Sequence, residues 1–281
     1  MKLLESDVKK FAIEKNLTIY QPEKVRSNTE FINKMKELNP DLICVVAYGK
    51  ILPREILDIP KKGSINVHAS LLPKYRGAAP IQWAVLNGDE ITGVSTMYMN
   101  EKMDEGDIIL QKGTKIGEYE TTGELWDRLS IMGADLLVET VKQIENGTAP
   151  RMKQGENYTV APMLDKQIAK IDFTKNIQEI KNKVYGLNPI MGAYVMYEGK
   201  KFKLWKVEIL DNNFFAKIIE RPVTEDIIPG EILLVNDKQG LFIKAKGGIL
   251  KVIEIQGENS KKMNICDFLR GNKLQVGEKF E

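Results

Sequence analysis

Residues 41–48 read DLICVVAY, Asp41 to Tyr48, and every position from Leu42 onward is apolar. A strand with one wet face alternates apolar and polar residues. A short run with no polar member is the signature of a strand covered on both faces, as in parallel sheets. Upstream, SDVKKFAIEK sets Val8, Phe11 and Ala12 at helical spacing behind a Ser6 cap. LTIY then suggests a short strand, and Phe31, Ile32, Met35 and Leu38 suggest a second helix. Downstream come strand SINVHAS (64–70), a helix through APIQWAVLNG (79–88), and strands GVSTMYMN (93–100) and DIILQKGTKI (107–116). Thr121-Thr122-Gly123-Glu124 forms a capping box for a long helix with Leu125, Leu129, Met132, Leu136 and Leu137 on its apolar side. Asn146-Gly147 is its left-handed stop. This alternation predicts an open α/β domain over residues 1–147.

The second half changes character. Residues 148–166, with Pro150 and Pro162 and no clear period, read as a linker. One helix, NIQEIKNKVYG, precedes short alternating strands: YVMYEGKKFKLWKVEIL, GEILLVNDKQGLFIKAKGGILKVIEIQ and a terminal KLQVGEKF. Strands with Gly-rich turns and no helical crossover predict a small antiparallel, OB-like β-barrel over residues 167–281.

Composition narrows the class. The chain has 281 residues, 43% hydrophobic and 28% charged, as in soluble globular proteins. No apolar run approaches the roughly 18 residues of a membrane span, and the first residues are too charged for a signal peptide. Two cysteines, Cys44 and Cys266, and one histidine argue against a disulfide framework and a zinc site, and for a reducing cytoplasm. Residues 1–147 hold 19 Lys and Arg against 22 Asp and Glu, whereas residues 148–281 hold 22 against 17. That basic excess fits either a solvated face or a surface for a polyanion such as nucleic acid.

The single histidine, His68, stands two residues after Asn66. On a strand the two side chains share a face, and both sit where the strand runs into the loop Ser70-Leu71-Leu72-Pro73. In open α/β sheets ligands collect at the carboxyl ends of strands. A carboxamide can hold a developing oxyanion while an imidazole moves a proton, although Asn-x-His alone equally describes a structural histidine. Asp104 and Asp107, in MDEGDI (103–108), could supply a carboxylate or merely reverse the chain. Arg76 could contact phosphate or brace its own loop. Trp83 and Trp126 occupy apolar helical positions and are expected in the core.

Taken together, VVAYGKILP (45–53), HASLLPKYRGAAPIQWAVLNGDEITGVS (68–95), MDEGDI and the tail GGILKVIEIQ…KKMNICDFLRGN are similar to the folate-dependent formyltransferases. The resemblance runs from about Ser6 to the C-terminus. It implies a Rossmann-like open parallel-sheet formyltransferase domain followed by the OB-like domain, here in a tRNA-binding role. It implies Asn66, His68 and Asp104 as the catalytic trio and Ser70, Leu71, Leu72 and Pro73 as the folate-binding loop, with residues 47–52 helping to line the pterin pocket. The implied donor is 10-formyltetrahydrofolate, without a metal. The implied acceptor is the α-amino group of methionine on initiator tRNA, and the enzyme is expected to act as a cytoplasmic monomer. Two alternatives stay open: an amine formyltransferase acting on sugar nucleotides, and a non-catalytic tRNA-binding remnant. The family ordinarily begins with a strand, a basic loop and a helix ahead of the point where this sequence starts, so the catalytic domain is expected to be N-terminally incomplete. NPIMGAY also departs from the family, which usually has a tryptophan after Asn-Pro, where Ile190 stands here.

Overall fold

Local signals place the first elements in a computed structural model that describes residues 5–219 and 228–281. Helix α1 (Asp7–Glu14) starts at Ser6, whose hydroxyl accepts from the Lys9 amide. Helix α2 (Thr29–Leu38) is capped by Asn28 and ends at Asn39 in the left-handed conformation. Strand β1 (Ile43–Val46), helix α3 (Arg54–Leu57), strand β2 (Ser64–His68), helix α4 (Pro80–Leu86), strands β3 (Ile91–Tyr98) and β4 (Ile108–Lys115), and helix α5 (Thr122–Glu145) follow. The capping box of α5 is formed in both directions, and Leu125, Leu129 and Leu136 are buried along it.

The first sheet has the order β1-β2-β3-β4, and only β1 and β2 run parallel. The sheet is therefore mixed: the chain reverses between β3 and β4 through residues 99–107 without a helical crossover. Leu17–Tyr20 forms no strand. In β1, half-buried positions alternate with exposed Cys44 and Val46. Among the described residues, then, the apolar run that suggested two covered faces has only one.

In the second half a 3₁₀ turn (Lys166–Ala169) leads to α6 (Ile177–Gly186), β5 (Ala193–Tyr197), β6 (Lys200–Leu210), α7 (Asn212–Ile219), β7 (Ile232–Asn236), β8 (Gly240–Ala245), β9 (Gly248–Gln256), β10 (Met263–Asn264) and α8 (Ile265–Gly271). All strand pairings here are antiparallel, in the order β5-β6-β9-β8-β7 with β10 on β9. The sheet does not close into a complete barrel. KLQVGEKF supplies an isolated bridge, Glu231 to Lys279, and the buried Phe280 instead of a strand.

One apolar cluster joins the halves: Ile81 and Val85 of α4 and Leu125 and Leu129 of α5 meet Ile177, Ile180 and Val184 of α6. Helices α4 and α6 approach through Gly186, where a Cβ would lie 2.7 Å from Leu86 Cγ. Thr122 donates to the Gly186 carbonyl at 2.8 Å and Lys181 to the Glu118 carbonyl at 2.8 Å. Trp83 is half-buried and donates to the Pro162 carbonyl, but Trp126 is 47% exposed on the outer side of α5, so its helical position does not make it core.

Candidate active site

Strand β2 delivers Asn66 and His68 to one face, with His68 at its carboxyl end. His68 is 6% exposed. Its Nε2 lies 2.8 Å from the Tyr75 carbonyl oxygen and its Nδ1 3.6 Å from Asp104 Oδ2. A carbonyl oxygen can only accept, so Nε2 carries the hydrogen in the neutral ring and Nδ1 carries the lone pair. The carboxamide of Asn66, half-buried, makes no hydrogen bond to another described residue. Of the expected trio Asn66, His68 and Asp104, the structure brings His68 and Asp104 together, with Asn66 on the same face of β2 as His68.

Asp104 arrives by a fold-back. Register sets Ile108 beside Met97, and Met97 beside Asn66. The 99–107 turn must therefore double back from the far end of β3 to reach His68. Gly106 makes this possible, since a Cβ there would fall 1.6 Å from the Tyr98 carbonyl oxygen. Asp104 itself is held at φ 54°, and Tyr75 at φ 62°. Non-glycine residues in that region cost on the order of 1–3 kcal/mol each and persist only where the surroundings impose them.

The surroundings do so here. Asp104 Oδ2 accepts from the Gly77 amide at 2.9 Å. The Tyr75 amide donates to Thr159 Oγ1, and its phenol, whose pKa burial pushes up, accepts from Asn87 at 2.8 Å. The loop 70–73 is pinned from beneath. Ser95 Oγ donates to the Ser70 carbonyl at 2.6 Å and accepts from the Leu72 amide at 3.1 Å, while Gln111 donates to the Leu72 carbonyl at 2.9 Å. Ser70 and Leu72 are buried, and Leu71 and Pro73 half-buried. Residues 47–52 follow β1 at the same end of the sheet.

Sequence reasoning missed the contribution of residues 148–163, whose lack of period hid it. Met152 pairs with Ile108 through two backbone hydrogen bonds. Thr159 and Ala161 bond the backbone of Arg76 on either side, at 2.9 and 2.7 Å. Gln154 donates to the carbonyls of Asp104 and Gly106 and accepts from Arg76 Nε. Arg76 is buried, stacks on Tyr158 with its guanidinium 4.5 Å from the ring centre, and lies 3.5 Å from Glu105. Of the two roles open to Arg76, bracing its own loop is the one its contacts describe.

Among the described residues no group of three or more His, Cys, Asp or Glu is placed to hold a metal ion, and no helix is long and apolar enough to cross a membrane. On the second half, Lys201 lies 4.3 Å over Tyr194, and Lys203 and Lys262 flank Trp205. Lys244, in contrast, is buried within β8 and does not extend that basic surface.

Residues 2–141 match the family described as formyl transferase, and residues 163–273 match its C-terminal domain. A methionyl-tRNA formyltransferase of Clostridioides difficile is 47% identical over 277 residues, covering 98% of this chain and 85% of that protein. One from Acetivibrio thermocellus is 43% identical over 272 residues, covering 96% and 84%. HypX from Aquifex aeolicus, in complex with tetrahydrofolic acid, superposes with a TM-score of 0.62 at 18% identity, covering 89% of this chain and 44% of that one. WlaRD, a sugar 3N-formyl transferase, gives 0.64 at 19% identity, covering 90% and 82%. At such identities these two describe a shared fold.

Proposed function

The chain belongs to the formyl transferase family, and from that premise we propose that it formylates the α-amino group of methionyl initiator tRNA, with 10-formyltetrahydrofolate as donor. Bound folate would supply a formyl group on an aromatic nitrogen, already activated toward an amine. The residues present fit such a group: Asn66 offers an unspent carboxamide beside a histidine whose Nδ1 lone pair is free of backbone contacts. That juxtaposition is the observation that carries the reading.

Asn66 Nδ2 donates to the formyl oxygen as negative charge develops there, an interaction worth more in the transition state than before it. His68 Nδ1 would take the proton that the attacking amine must lose, and bound folate would offer the nitrogen that gives up the formyl group as the place where that proton ends, so no net proton would be consumed. The Asp104 carboxylate, 3.6 Å away, stabilises the imidazolium in between. Ser70, Leu71, Leu72 and Pro73, pinned through Ser95 and Gln111, form a rigid wall for the folate. Exposed Lys200, Lys201 and Lys206, with Lys203, meet the tRNA phosphates, and the reaction takes place in the cytoplasm, where charged tRNA is used.

Offering labelled formyl donor with charged initiator tRNA, and separately with amino-sugar nucleotides, tests this. Label on methionyl-tRNA alone is the expected result. Label on the sugar, or on neither acceptor, would overturn it.

A further inference from the structure

We propose that Gln154 is a positioning residue for formyl transfer, the clasp that holds Asp104 against His68; the inference rests on the function proposed above. Nothing in the catalytic motif contains it, and it reaches the site from the segment between the two halves. Its Nε2 donates to the carbonyls of Asp104 at 2.7 Å and Gly106 at 2.8 Å. Its Oε1 accepts from Arg76 Nε at 2.9 Å. Both N–H groups and the carbonyl are therefore spent, one end on the Asp104 turn and the other on the loop that carries Tyr75 and Gly77.

Each contact bears on a constrained group. Asp104 sits in the left-handed region, so its carbonyl direction is fixed only while something holds it. The same loop gives Asp104 Oδ2 its Gly77 amide and gives His68 Nε2 its Tyr75 carbonyl. A side chain that ties turn to loop therefore sets the separation between carboxylate and imidazole. Arg76 completes the clasp: its backbone is bonded to Thr159 and Ala161, so the guanidinium that Gln154 accepts from is anchored. A buried polar bridge with every donor satisfied rigidifies what it joins.

The test uses the full chain labelled with ¹⁵N-histidine. His68 is the only histidine, so its two ring nitrogens report alone and need no substrate. Gln154→Ala, the nearly isosteric Gln154→Met, and Asp104→Asn are compared with the unaltered chain for ring ¹⁵N shifts, melting temperature, and kcat and KM for the donor. Both Gln154 variants are expected to move the His68 signals in the direction that Asp104→Asn moves them, by at least about half as much. kcat should fall roughly 10- to 100-fold with the donor KM changed less than about threefold, since small misplacements of a catalytic group cost that much. His68 signals unmoved in a folded Gln154 variant would overturn the proposal, whatever the loss of activity or stability. If the unaltered chain formylates neither acceptor, the function fails while the ring signals still decide the role of Gln154.

Discussion

His68 at the end of β2, and Ser70 and Arg76 in the loop that follows it, lie buried, each with a side-chain polar atom bonded to backbone or to another side chain. Leu204, Leu241, Ile243, Leu250 and Val252 of the second sheet are buried at least as deeply and carry no side-chain polar atom at all. The first region gains its order from directional contacts and keeps two residues in unfavourable backbone conformations. The second gains its order from apolar area on alternating strands. Damage should therefore register in different measurements: in the chemical step for the loop, and in stability for the sheet.

The largest effect is expected at the reacting groups. Asn66→Ala and His68→Ala should each lower turnover by about 100-fold or more, as loss of an oxyanion donor or a proton carrier does. Donor binding should change little in either variant, and the melting temperature little in Asn66→Ala, because the Asn66 carboxamide makes no hydrogen bond to another described residue. His68→Ala also removes the ring's donation to the Tyr75 carbonyl, a loss of about 1 kcal/mol. Turnover within a few-fold of the unaltered chain in either variant would remove these residues from the chemistry and break the comparison at its first term.

The converse change is Leu204→Ala, at the centre of β6 with no exposed surface. Truncation of a buried leucine costs about 2–5 kcal/mol, read as a lower denaturant midpoint. Turnover per folded molecule should stay near normal below the transition. If turnover fell with stability, the two regions would be coupled through α6, which packs on both α4 and the second sheet.

These two regions also differ in how far they can be read from sequence. The capping box of α5 involves residues three apart, and the alternation of β6 and β9 is a property of consecutive residues, so both are visible without a structure. Asn66, His68 and Asp104 stand out because motif and chemistry agree. Gln154 and Thr159 do not, because they act on residues 78 and 84 positions away and lie in a stretch without period. Two misreadings have the same origin: an apolar run does not reveal how many faces will be covered, as β1 shows, and alternation in KLQVGEKF does not guarantee a neighbour to pair with.

Alkali sharpens the contrast at the join between the halves. Tyr185 of α6 donates to the Val207 carbonyl at 2.9 Å, and burial pushes its phenol up to about 12. Below pH ~10 both folded and unfolded chains keep that proton, and the contribution is complete. Between about pH 10 and 12 the unfolded chain releases it while the folded chain retains it, so stability falls with rising pH, by about 1.4 kcal/mol per unit and some 2–3 kcal/mol in all. Tyr185→Phe should cost about 1 kcal/mol at neutral pH from the lost hydrogen bond and make the alkaline limb shallower. Tyr197, also raised to about 12, chiefly by burial and next by Glu278, leaves a residual slope. An alkaline limb as steep in the variant as in the unaltered chain would show that Tyr185 does not carry that proton.

The smallest single effects belong on the outer surface of the second sheet, where exposed charge rather than buried order is at stake. Lys200, Lys201 and Lys206 are exposed and Lys203 half-buried along β6, with Lys201 over Tyr194 and Lys203 over Trp205. If phosphates of the tRNA lie here, each lysine removed lowers the salt dependence of binding by about one counterion, and affinity by a few-fold, whatever the sequence of the tRNA. Lys201→Gln should therefore shift the slope of log affinity against log salt by about one, and the four glutamine changes together by up to about four. Asn66→Ala should leave the same slope untouched, since it removes no charge. The measurement is tRNA binding by the full chain across a salt series. A slope that survives all four substitutions would place the phosphates on another face and leave these lysines as a solvated surface. A slope that falls while turnover at saturating tRNA stays normal would separate holding the acceptor from acting on it, assigning the first to β6 and the second to the carboxyl end of β2.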